Sequence, residues 1–182
     1  KIARDAADAF STKEKPRFVL GSLGPGTKLP SLGHTTYENL KLAYYTAAKG
    51  LSDSGCDALL VETSQDLLQV KAAVNGCRQA IQESNRDIVL IAQVTVETTG
   101  TMLLGSEIGA ALNTLEPMGI DVIGLNCATG PTEMSEHLRY LSKNAKIAIS
   151  VMPNAGLPVL GANGASYPLG ADELAVALEG FI

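Results

Sequence analysis

Five apolar, β-rich runs recur along this chain at intervals of roughly 25–40 residues, with helical patterns between them. The runs are Arg17–Gly21, Asp57–Thr63, Asp87–Val96, Val122–Cys127 and Lys146–Met152. The segments Tyr37–Ser52, Gln65–Glu83, Ser106–Met118, Thr132–Lys143 and Ala171–Glu179 read as helices. In Gln65–Glu83, Leu67, Leu68, Val70, Ala73, Val74, Cys77 and Ile81 keep to one broad stripe, as a helix covering a sheet should. Ala58-Leu-Leu-Val61 and Ile88-Val-Leu-Ile-Ala92 are apolar at every position, which predicts strands covered on both faces. This alternation predicts an α/β fold with a parallel sheet. About five βα units are visible, too few to close an eight-unit barrel. An open doubly wound sheet and a partial (βα)8 TIM barrel both fit. The opening residues, Lys1 to Phe10, read as the end of a helix, with Ile2, Ala6 and Phe10 spaced by four.

Composition removes several function classes. The chain has 182 residues, 46% of them hydrophobic, which is enough for one buried core. Net charge is −5 and no Lys/Arg block stands out, so neither nucleic acid nor an anionic membrane surface is an expected partner. No apolar run is long enough to span a bilayer, and no basic segment followed by an apolar one suggests a secretion signal. Cys56, Cys77 and Cys127 are odd in number and far apart, which argues for reduced thiols in the cytoplasm rather than a disulfide framework.

In a parallel α/β protein the chemistry gathers where the strands end. Those ends here are Gly21-Ser-Leu-Gly-Pro-Gly26, Glu62-Thr-Ser64, Thr95-Val-Glu97, Asn126-Cys127 and Met152-Pro-Asn-Ala-Gly156, all small or polar. Val122-Ile-Gly-Leu-Asn-Cys-Ala-Thr-Gly-Pro131 delivers Cys127 at the end of an apolar run, and a helix then opens at Pro131. The positive end of that helix would favour a thiolate, the form that attacks electrophiles or binds metal. Glu62 follows a five-residue apolar run and has two readings: an anchor for a substrate ammonium group, or a cap for the helix that starts near Ser64. The Gly21–Gly26 loop lacks the ending of a P-loop and suits a tight turn beside a small ligand. Cys56 precedes a strand and Cys77 lies on a helical stripe, so both read as structural. His34 and His137 have no evident partner, and Asp57 and Asp121, each ahead of a strand, read as turn or cap residues.

Leu23-Gly-Pro, Glu62-Thr63 with Asp66 and Lys71-Ala-Ala-Val74, Gly124-Leu-Asn-Cys-Ala-Thr-Gly-Pro131 and Pro153-Asn-Ala-Gly-Leu-Pro158 follow one another in a distinctive order. Together they resemble the homocysteine S-methyltransferase family over nearly the whole chain, most closely the homocysteine-binding modules of its cobalamin-dependent branch. The resemblance implies a (βα)8 barrel in which three cysteine thiolates hold zinc and homocysteine adds its sulfur. Cys127 matches one of those cysteines. The other two belong to a Gly-Gly-Cys-Cys-Gly motif that is not found up to Ile182, and the motif of the family's first strand is not found either. The visible strands then correspond to barrel units three to seven, making residues 1–182 a homocysteine-binding domain incomplete at both ends.

By the same resemblance, Glu62 holds the homocysteine amino group. Asn126, Ser22 and Gly21 line the amino-acid pocket, and Asn154 lies beside the zinc as a further metal ligand. The methyl group would come from methylcobalamin on a separate module, with a folate-binding module as a further partner; betaine- and S-methylmethionine-dependent relatives share the zinc motif. Two other functions stay open at this point: a metal-free thiol enzyme using Cys127, and a non-catalytic barrel fragment that binds a partner.

Overall fold

The computed structural model describes residues 1–161 and 164–182. Its helices are α1 (Ile2–Phe10), α2 (Tyr37–Asp53), α3 (Leu67–Ser84), α4 (Ile108–Leu115), α5 (Pro131–Asn144) and α6 (Ala171–Glu179). Its strands are β1 (Leu20–Leu23), β2 (Ala58–Ser64), β3 (Val89–Val94), β4 (Val122–Asn126), β5 (Ala148–Met152), β6 (Val159–Gly161) and β7 (Gly164–Ser166). The first five strands form a parallel sheet in the order β1-β2-β3-β4-β5, and β6 pairs antiparallel with β7. No helix among the described residues is long and apolar enough to cross a membrane.

Strand order decides between the two architectures. A doubly wound sheet reverses its order at a switch point and carries helices on both faces. Here each strand pairs with its chain neighbour, and α2, α3, α4 and α5 pack successively against one another. The chain is therefore a five-unit arc of a (βα)8 TIM barrel. Alternation along the strands sends Leu59, Val61, Leu90, Ala92, Ile123 and Leu125 into the core under the helices. The other set, including Ser22, Leu60, Gln93, Gly124 and Ser150, occupies the face that is concave in a barrel.

Helices α2 and α3 meet most closely at Gly76. A Cβ there would stand 2.6 Å from the Lys41 carbonyl oxygen and 2.8 Å from the Tyr45 nitrogen. Any larger residue would have to push the two backbones apart.

At the amino ends of the strands, two aspartates act across strands rather than as local caps. Asp57 Oδ2 accepts the Val19 N–H at 2.7 Å, and Asp121 Oδ2 accepts the Leu90 N–H at 2.7 Å. Arg4 of α1 also donates to Asp57. That pairing fastens α1, whose Ile2 and Phe10 are exposed rather than packed. Burial pushes the Asp57 carboxyl up, but the Val19 N–H and Arg4 outweigh it and hold the group below the usual aspartate range. A lowered folded-state pKa means that this stabilisation is present above the ordinary value of 3.8 and is lost as the pH falls through the folded value. Asp57→Asn is expected to cost about 1 kcal/mol near neutral pH and progressively less in acid. Urea midpoints measured across that range check this; a penalty that does not shrink in acid would remove the charge from the explanation.

Two elements differ from the sequence reading. β1 pairs from Leu20, three residues later than the apolar run begins, and Phe18 ahead of it is largely exposed. β6 and β7 pair antiparallel between β5 and α6, where the sequence reading placed no strand.

Candidate functional site

The carboxyl ends of β1, β2 and β4 converge through side-chain hydrogen bonds. Ser22 Oγ donates to the Glu62 carboxylate, joining β1 to β2. Asp66, not Glu62, caps α3: its carboxylate accepts the Leu68 N–H at 2.9 Å and both the N–H and hydroxyl of Ser31. Glu62 is thereby released from the capping role and stays partly exposed at the strand end.

The next residue explains how Glu62 is aimed. Between Val61 and Ser64, β2 advances three residues while β3 advances two, from Ala92 to Val94, so β2 carries a bulge. Thr63 sits in that bulge with φ 57°, a left-handed conformation costly for a β-branched residue. Asn126, at the end of β4, holds it there. Its Oδ1 accepts the Thr63 N–H at 2.8 Å, and its Nδ2 donates to Thr63 Oγ1 at 2.7 Å. Thr95 Oγ1 in turn donates to the Asn126 carbonyl at 3.0 Å. With these bonds made, the Asn126 side chain keeps one N–H for any ligand.

Cys127 follows directly, with φ 62°, and Ala128 is also left-handed at φ 58°. The Cys127 N–H donates to the Met152 carbonyl at 3.1 Å, and the Asn154 N–H donates to the Thr129 carbonyl at 3.0 Å. A Cβ on Gly130 would lie 2.8 Å from the Gly156 Cα, so the loops carrying Cys127 and Asn154 touch backbone to backbone. The structure thus joins Ser22, Glu62, Asn126, Cys127 and Asn154 in one connected edge. Gly21 differs. A side chain there would meet Leu51 of α2 at 3.0 Å, so it faces the helix layer and has only its backbone to offer. The opening of α5 is also partly occupied, since the Glu133 carboxylate accepts the Gly130 N–H at 3.0 Å.

The remaining thiols and histidines stand apart from this edge. Burial pushes Cys56 up and Cys77 up to about 12, which keeps both as protonated core groups. His34 Nδ1 accepts the Leu29 N–H, and burial lowers the His137 pKa on α5; neither is hydrogen-bonded to Cys127.

Sequence reasoning passed over several residues. Gln93 is fully buried, and its Nε2 donates to Ser150 Oγ at 2.9 Å while Oε1 has no partner among the described residues. A lone amide inside the apolar run Ile88–Val96 was the available signal. Tyr44 and Gln69 hold the Gly24–Gly26 turn from the helix layer: the Tyr44 hydroxyl donates to the Gly24 carbonyl at 3.0 Å, and Gln69 Nε2 donates to the Pro25 carbonyl at 2.7 Å. Burial, with Cys77 nearby, pushes Tyr44 up to about 12, so its hydroxyl remains a donor.

As a metal site the edge is partial. Among the described residues no group of three His, Cys, Asp or Glu side chains could hold an ion. The edge carries one thiol, that of Cys127, fewer donors than a protein metal centre uses.

The homocysteine S-methyltransferase family model matches residues 1–182. The chain belongs to the homocysteine S-methyltransferase family. It is 66% identical over 181 residues to a methionine synthase of Mycobacterium tuberculosis, and equally so to one of Mycobacterium leprae. In each case all of this chain aligns with 15% of the relative's length. Among solved structures it is similar to the apo homocysteine methyltransferase MmuM of Escherichia coli, with TM-score 0.68 and 19% identity over 84% of this chain and 55% of that one. A 2,3-dimethylmalate lyase matches with TM-score 0.51 and 19% identity, covering 96% of this chain and 54% of the other. At such identities both establish the fold alone, and one fold serves many chemistries. Family membership rests on the sequence match over residues 1–182.

Proposed function

We propose that the protein carrying this segment transfers a methyl group to homocysteine to give methionine, and that residues 1–182 form part of its homocysteine-binding domain. The observation that carries this reading is the joined edge: a carboxylate at Glu62, braced through Thr63 and Asn126, leads directly to the half-buried thiol of Cys127. Homocysteine has a complementary layout, with an ammonium group at one end and a thiol at the other. Identity of 66% to two methionine synthases supports the same assignment.

Within it, Glu62 takes the ammonium group and Ser22 orients the carboxylate. Asn126 keeps Thr63, and with it Glu62, in register and offers its remaining N–H to the substrate. Cys127 contributes one thiolate to zinc, Asn154 lies beside it, and the other thiolates come from outside this segment. When bound, zinc would keep a thiol sulfur deprotonated near neutral pH. The methyl donor is methylcobalamin on a separate module, recharged through a folate-binding module. Three free cysteines suit a reducing compartment, which makes the cytoplasm the proposed location.

The test is calorimetric titration of the full-length natural protein, supplied with zinc, with homocysteine and with homoserine. Homocysteine is expected to bind and homoserine, which carries oxygen in place of sulfur, to bind far more weakly. Equal affinity would separate the site from sulfur chemistry, and no binding of either would end the reading.

A further inference from the structure

We infer that Gln93 and Ser150 are positioning residues for Cys127: their hydrogen bond ties together the two strands that clamp the Asn126–Cys127 peptide. This rests on the proposed function, in which Cys127 acts at the sulfur end of homocysteine. The clamp closes on one peptide unit. Its carbonyl, that of Asn126, accepts from Thr95 Oγ1 at 3.0 Å, and its N–H, that of Cys127, donates to the Met152 carbonyl at 3.1 Å. Across a trans peptide these two groups point in opposite directions, and the chain has no cis peptide bond. The unit is therefore gripped from the β3 side and the β5 side at once, and the gap between those strands sets where Cys127 sits.

Gln93 and Ser150 span that gap. Gln93 lies two residues before Thr95, and Ser150 two residues before Met152. Gln93 pairs with Gly124 and Gly124 with Ser150, so the 2.9 Å bond from Gln93 Nε2 to Ser150 Oγ crosses β4 at a residue without a side chain. β3 and β5 stand two strand spacings apart, about 9.5 Å, which a glutamine laid over a glycine can bridge to a serine. An amide is a poor choice for the fold alone. Gln93 is fully buried, yet its Oε1 has no partner among the described residues. An unpaired buried acceptor costs stability, and an apolar side chain of the same shape would fill the space without that cost. What such a side chain could not supply is the bond to Ser150, one pleat below the clamped peptide.

The test uses Gln93→Met, which keeps the shape and removes the bond, in the full-length natural protein supplied with zinc and charged with its methyl donor. Methyl transfer to saturating homocysteine is followed in a single turnover, so that later steps do not mask it. The variant is expected to slow transfer about tenfold, because small misplacements of a reacting centre are costly. Its melting temperature should stay unchanged or rise, since the unpaired acceptor goes with the amide. Ser150→Ala is expected to slow transfer by a similar factor, and the double variant no further than the slower single one, as residues sharing one bond should. A rate within about twofold of wild type would remove the brace from the reaction. A slower rate with a lower melting temperature in Gln93→Met would reduce it to general support of the fold, and additive losses would separate the two residues; each of these overturns the inference alone. A wild-type protein that transfers no methyl group to homocysteine overturns the proposed function, and this assignment with it.

Discussion

Glu62→Gln is expected to weaken homocysteine binding roughly thirtyfold, the equivalent of about 2 kcal/mol for a hydrogen bond to a charged group. The substitution keeps size and shape and removes the charge, so the ammonium group loses its counter-ion while the Ser22 hydroxyl still finds an oxygen. Stability should barely change, because α3 is capped by Asp66 and does not depend on Glu62. That separation makes the result readable. Calorimetry of the full-length protein gives the affinity, and a thermal melt gives the stability. An affinity within about twofold of wild type would mean that the ammonium group is held elsewhere. A fall in melting temperature with unchanged affinity would return Glu62 to a structural role.

Gly124→Ala is expected to produce the largest loss of stability, about 3 kcal/mol, the upper part of the usual range for overpacking. Gly124 pairs with Ser150 across β4 and β5. A Cβ on Gly124 would stand 2.4 Å from the Ser150 carbonyl oxygen and 3.0 Å from the Ser150 Cβ. The nearest obstacle is backbone, so no side chain can rotate out of the way and the strands must part. The Gln93–Ser150 hydrogen bond spans the same place and would be stretched as well. Gly50, inside α2, is the control, since a Cβ there meets nothing within 4 Å. Gly50→Ala is expected to stabilise by up to about 1 kcal/mol through helix propensity. Urea midpoints read both effects. A Gly124→Ala loss below about 0.5 kcal/mol would show that β5 accommodates the methyl group.

What could be read from the sequence followed the range of the interactions. The stripe through Leu67, Val70, Ala73, Val74 and Cys77 depends only on helical spacing, and α3 buries Val70, Ala73, Val74 and Cys77 completely, whereas Leu68, expected on the same stripe, is exposed at its edge. The apolar run Val122–Cys127 matches β4 to within a residue. The β1 run was legible but displaced, because Phe18 and Val19 are as apolar as the residues that pair. The β6–β7 pair lies among closely spaced glycines and prolines, where the sequence shows no strand pattern. The edge itself was half legible. Its members could be collected because parallel strands present their last residues together. The bond from Asn126 to Thr63 spans 63 residues and depends on a bulge that no local pattern announces. Sequence left the two readings of Glu62 level; the bonds of Asp66 to Leu68 and Ser31 give the cap of α3 to Asp66.

The sequential strand order has a consequence for how the chain is made. Within the five-stranded sheet every strand after β1 joins the one synthesised just before it, so each new edge is completed by the next unit to leave the ribosome. Assembly can follow the direction of translation, with short loops to close at each step. Two bonds skip a strand: Gln93 to Ser150, and Asn126 back to Thr63, which must wait until two further strands have docked. The bulge that follows Glu62 is therefore made early and locked late, and the edge that joins Glu62 to Asn126 is among the last parts of this arc to become rigid.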